Sequence, residues 1–60
     1  MLPLILVVDD DPQLRALLVR FITDEGYATV TASNGEEALA AVAREAPDLI
    51  LLDVEMPVMD

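Results

Sequence analysis

Two short apolar runs in this chain each end on aspartate. Leu4-Ile5-Leu6-Val7-Val8 runs into Asp9-Asp10-Asp11, and Leu49-Ile50-Leu51-Leu52 runs into Asp53. Runs of this length, rich in Val, Ile and Leu, read as strands buried on both faces. If the two strands are parallel neighbours, their carboxyl ends meet at one edge of the sheet and bring Asp9, Asp10 and Asp53 together. Adjacent strands lie ~4.8 Å apart, so the carboxylates would repel unless a cation joined them or a proton was taken up.

Composition narrows what such a site can be. With no histidine and no cysteine, the chain lacks the usual zinc ligands and cannot form a disulfide. Any metal is therefore expected to be a hard cation held by oxygen. Three arginines and no lysine stand against twelve acids, for a net charge of −9. Nothing in that balance can release phosphate counterions, so neither nucleic acid nor an anionic membrane is an expected partner. The apolar stretch at the start is too short to span a bilayer and has no basic residues before it, which favours a cytoplasmic location. Sixty residues make one domain at most, burying only about 60 % of the surface exposed on unfolding.

Between the two strands the pattern alternates. Asp11-Pro12 is a helix entry, with Asp as N-cap and Pro at the first helical position. Leu14, Leu17, Leu18, Phe21 and Ile22 then repeat at helical spacing as an expected core stripe. Arg15 and Arg20 lie off that stripe, each with an acid at helical distance in Asp11 and Asp24. Gly26 stops the helix. Residues 27–32 alternate, as a strand with one wetter face would. Ser33-Asn34-Gly35-Glu36 has capping-box spacing, with Glu37 adding charge to the next helix N-terminus. Ala38, Leu39, Val42 and Ala46 form that helix's apolar stripe, and Pro47 ends it.

The order β1-α1-β2-α2-β3 implies a parallel sheet with right-handed crossovers. The wholly apolar β1 and β3 read as interior strands and the alternating β2 as an edge, which gives the order 2-1-3 with the helices on opposite faces. The switch point then lies between β1 and β3, where open α/β sheets bind ligands. A central-type β3 with nothing after it to pair with its far side suggests that residues 1–60 are the first half of a larger doubly wound domain. Its unpaired edge is expected to drive homo-oligomerisation.

Three segments together resemble the receiver domain of bacterial response regulators. They are Ile5-Leu6-Val7-Val8-Asp9-Asp10-Asp11-Pro12, Asn34-Gly35-Glu36-Glu37-Ala38-Leu39, and the stretch from Pro47-Asp48-Leu49-Ile50-Leu51-Leu52-Asp53 to Met56-Pro57-Val58-Met59-Asp60. The resemblance implies a flavodoxin-like α/β fold, here its truncated N-terminal half. It implies that Asp53 is the phosphoacceptor. Asp9 and Asp10 resemble the acidic pair that binds Mg²⁺ (or Mn²⁺), Asp10 directly and Asp9 through water, and Glu55 matches the position whose backbone carbonyl completes the metal site. The phosphoryl donor would be a sensor histidine kinase or a phosphotransfer protein, and the chain would not itself be an enzyme. The family also uses a Ser/Thr and a Lys from later strands to hold the phosphoryl oxygens. This chain has neither strand and no lysine, so weak metal binding and little or no activity are expected of it alone.

Two other readings compete. One is a self-associating, non-catalytic half-domain, either an interaction module or an engineered piece. The other is a phosphatase of the haloacid-dehalogenase type built on Asp9-x-Asp11, but Pro12 opens a helix at once where that family has small flexible residues, and Asp53 would have no role.

Overall fold

The structure, a computed structural model, describes residues 1–52. Five elements follow one another: β1 (Leu4–Val8), α1 (Pro12–Asp24), β2 (Ala28–Ala32), α2 (Gly35–Glu45) and β3 (Leu49–Leu52). The strands are parallel in the order β2-β1-β3, as the sequence pattern predicts. Val8 pairs with Ala32 on one side and Leu52 on the other, so all three strands end level at their carboxyl edge. At the opposite edge Asp48 closes the β1–β3 pair with two bonds. Its carboxylate accepts from the Leu4 amide and its own amide donates to the Leu4 carbonyl, both at 2.8 Å.

Period-two alternation along β1 divides the core between the helices. Ile5 and Val7 face α1 and pack with Ile22, Leu18 and Val19. Leu6 and Val8 face α2 and pack with Ala32, Ala41, Val30 and Ala38. The helices thus cover opposite faces, and both pack over β1 and β2.

The helix stripes differ from the expectation. Leu18 and Ile22 do pack on the sheet, but Leu17 and Phe21 are 63 % and 65 % exposed, and Val19 takes a core position instead. On α2, Leu39 is 75 % exposed while Ala41 is buried. A contact face centred on Ala38 and Ala41 lets that helix lie close to the strand row, and larger residues turn outward. β3 has the sequence of a central strand but is the outer strand of the described sheet, as the order 2-1-3 requires, and all four of its residues are exposed. Both helices sit toward the β2 side, so residues 1–52 leave its faces only partly covered.

The caps explain the element ends. Asp11 accepts from the amides of Gln13 and Leu14 at 2.9 and 3.4 Å, and Pro12 needs no partner for an amide it lacks. After α1, Gly26 takes φ 97°. This lets its amide reach Thr23 O at 3.0 Å and the Tyr27 amide reach Ile22 O at 3.3 Å, a Schellman ending. The α2 cap is shifted by one residue from the sequence reading. Asn34, not Ser33, accepts from the Glu37 amide at 2.8 Å, and Glu37, not Glu36, reaches back to the Ser33 amide at 2.9 Å. The Asn34-x-x-Glu37 spacing serves as well as Ser33-x-x-Glu36 and adds the better cap residue.

At the far end of α2, Ala46 adopts the left-handed conformation (φ 49°, ψ 61°). Pro47 disfavours the right-handed helical region for the residue before it, and a Cβ makes the left-handed alternative costly. Ala46→Gly is therefore expected to stabilise the fold by about 0.5–1 kcal/mol, read from urea unfolding midpoints. Destabilisation by this change would contradict the backbone assignment.

Candidate functional site

At the carboxyl edge β1 does not stop at Val8. The Asp9 amide donates to Ala32 O at 3.1 Å, so Asp9 extends the ladder by one residue and is carried inside with the strand. It is 0 % exposed, the one buried charged residue among those described. One carboxylate oxygen, Oδ1, accepts from the Asp11 amide at 2.9 Å and shapes the turn into α1. The other, Oδ2, is buried and has no hydrogen-bond partner. An unpartnered carboxylate oxygen in the interior is costly, so this atom calls for a proton, a cation or water.

Asp10, the next residue, is exposed, and Asp11 serves as the α1 cap. The three consecutive acids thus divide into a buried one, an exposed one and a cap. Beside them a shallow depression of about 220 Å³ opens between α1 and β3, lined by Val8, Asp9, Leu14, Leu18, Leu51 and Leu52. Its walls are apolar apart from Asp9. The other two expected site residues, Asp53 and Glu55, lie outside the described residues. Among the described residues no three acids gather into a metal-sized group. The donors present still suit a hard cation: a buried oxygen without a partner and a neighbouring free carboxylate.

Arg15 was expected to pair with Asp11. Its guanidinium Nη1 instead donates to the Asp9 carbonyl at 2.8 Å. Asp11 already spends Oδ1 on the helix amides, whereas the Asp9 carbonyl points where an arginine one turn into α1 can reach. The positive charge also acts on Glu37 across the site. Hydrogen bonds from the Ser33 amide and then its side chain hold the Glu37 carboxyl below the usual glutamate range, and the Arg15 charge adds to them. The sequence offers Asp9 and an arginine six positions on, a spacing that fits no helical pairing rule. Arg20 with Asp24, the other expected pair, forms no ion pair; among the described residues the one salt bridge is Arg44 to Glu45 at 3.0 Å, on the surface. Also among these residues, no helix is long and apolar enough to cross a membrane.

A three-stranded parallel sheet in the order 2-1-3, with an acidic turn at its switch point, defines the class as a flavodoxin-like α/β domain with a site at the strand ends. Residues 5–60 match the family profile of the response regulator receiver domain. The chain belongs to that family, the receiver domains of two-component signalling. Among similar proteins, sporulation initiation phosphotransferase F of Bacillus subtilis (strain 168) is 50 % identical over 56 residues, covering 93 % of this chain and 45 % of that protein. The probable transcriptional regulator ycf27 of Pyropia yezoensis is 52 % identical over 56 residues, 93 % of this chain and 23 % of that protein. The alkaline phosphatase synthesis transcriptional regulatory protein PhoP of Bacillus subtilis (strain 168) is 50 % identical over the same share of this chain, again 23 % of that protein. The chain thus spans less than half the length of each.

Proposed function

We propose that this chain carries the acceptor and metal side of a phosphorelay receiver, with Asp53 receiving a phosphoryl group from a phosphohistidine. The observation that supports it most is the buried, unpartnered Oδ2 of Asp9 beside the exposed Asp10, at the end of a strand that pairs with β3 immediately before Asp53. In the reaction an Asp53 carboxylate oxygen bonds to phosphorus as the phosphorus–nitrogen bond to imidazole breaks, and the imidazole leaves with the proton it carries. Asp9 and Asp10, with Asp53 and the Glu55 carbonyl, are the residues that would hold Mg²⁺ or Mn²⁺. When bound, the ion would offset the charge of two anions brought together. The donor would be a sensor histidine kinase or phosphotransfer protein, which places the exchange in the cytoplasm. The chain is acted on in this step and is not an independent enzyme.

Within these sixty residues, no lysine is available to balance the transferring oxygens, and the metal must do so alone. Losing preorganised donors of this kind costs ~3 kcal/mol or more each. With acetyl phosphate and Mg²⁺ the sixty-residue chain is expected to show at most trace phosphate by mass spectrometry, all of it on Asp53. The label should vanish in Asp53→Asn, and Mg²⁺ binding, weak in titration, should vanish in Asp10→Ala. Label on another residue, or equal metal binding by Asp10→Ala, would contradict the assignment.

The same chain taken alone is also proposed to self-associate. β3 exposes Leu49, Ile50, Leu51 and Leu52 by 40–58 %, and among the described residues only its β1 edge is paired. An exposed apolar strand of this kind templates another, and a twofold axis beside it would give the order 2-1-3-3′-1′-2′. Sedimentation at high micromolar concentration is expected to show a dimer or larger species that Leu51→Lys disrupts. A folded, strictly monomeric chain would contradict self-association without touching the phosphoacceptor reading.

A further inference from the structure

Asp9 has four polar groups at the carboxyl edge, and three are fixed. The amide is held by Ala32 O at 3.1 Å, Oδ1 by the Asp11 amide at 2.9 Å, and the carbonyl by the Arg15 guanidinium at 2.8 Å. Only Oδ2 is free. Of the three clamps, the first belongs to the sheet and the second to the turn itself. The third is the one supplied by a side chain from another element, and it acts on the carbonyl of the peptide that joins Asp9 to Asp10.

The orientation of that peptide sets where the Asp10 backbone begins relative to the buried Asp9 carboxylate. A guanidinium is suited to the task, since its planar donors hold a carbonyl in a defined direction where an ammonium would act as a point charge. Arg15 is half-buried, which restrains it further. Its charge also reaches Glu37, the residue that fastens Ser33 at the head of α2.

We propose that Arg15 is a positioning residue for the cation: by holding the Asp9–Asp10 peptide, it presents Asp9 Oδ2 and the Asp10 carboxylate to one ion. This rests on the reading of Asp9 and Asp10 as metal ligands. It makes a claim about sign that a purely electrostatic role would reverse. A positive charge beside the acidic turn opposes a dication, so removing it would tighten binding if charge alone mattered. Removing a positioning contact loosens binding, and partners of metal ligands are commonly worth about 10–100-fold in affinity.

The test compares Mg²⁺ affinity of the wild-type chain with Arg15→Met and Arg15→Lys, alongside metal-free thermal midpoints and hydrogen exchange at the Asp11 amide. Arg15→Met, with similar reach and no donors, is expected to bind about tenfold more weakly, with faster exchange at Asp11 and little change in midpoint. Arg15→Lys, which keeps the charge but not the planar fork, is expected to fall between Arg15→Met and wild type. Unchanged or tighter binding by Arg15→Met overturns the inference and leaves the metal site standing. Should Arg15→Met fail to fold, Arg15→Lys decides, and wild-type affinity there overturns the inference. A wild-type chain that binds no Mg²⁺ removes the site and the inference together.

Discussion

Everything in this fold depends on β1 being enclosed. Both edges of β1 are paired, and its faces are packed by α1 on one side and α2 on the other. Residues Ile5, Leu6, Val7 and Val8 are buried in succession, which gives the apolar burial a sixty-residue chain most needs. The consequence appears one residue later. A chain leaving the middle of a sheet cannot surface at once, and the ladder continues through the Asp9 amide to Ala32. The aspartate is therefore taken into the interior by the hydrophobic strand before it, and the stability of that strand offsets the cost of an incompletely paired carboxylate. The strand that builds the core also delivers the charged site.

The elements and their order were legible because they rest on coarse signals. An apolar run of five, a Pro after Asp, a Gly after a helical stripe and a Pro after a second stripe mark four boundaries that the structure reproduces. What was not legible depends on which way a helix is turned. Leu17, Phe21 and Leu39 carry the hydrophobicity that a stripe is read from, yet Val19, Ala38 and Ala41 make the contacts. Periodicity gives a face to within a residue or two, and the distance between helix and sheet then selects small residues over large ones. The same one-residue ambiguity moved the α2 cap from Ser33 to Asn34, since both have an acid three positions on.

The candidate site divides in the same way. Asp9 and Asp10 could be singled out from the sequence because consecutive acids at the end of an apolar strand exceed what a helix cap requires, and Asp11 does prove to be the cap. The difference between them, Asp9 enclosed and Asp10 exposed, comes from the extra ladder bond and has no sequence signal. Nor does the bond from Arg15 to the Asp9 carbonyl, because a side chain that seeks a backbone group leaves no complementary residue to find. Family membership supplies what neither source does alone, namely a reason for an acidic turn to lie at the carboxyl end of β1.

The most direct measurement of the central claim, that Asp9 is held in the interior with an oxygen kept free for a cation, is the thermal stability of Asp9→Asn against wild type with and without Mg²⁺. Without metal, Asp9→Asn is expected to be no less stable than wild type, because it removes a buried charge while its amide nitrogen takes the same unpartnered position. With Mg²⁺, the wild-type midpoint is expected to climb with concentration, as binding to the folded state requires, while Asp9→Asn does not respond. A metal-free Asp9→Asn chain less stable than wild type, with the same Mg²⁺ response, would contradict the account.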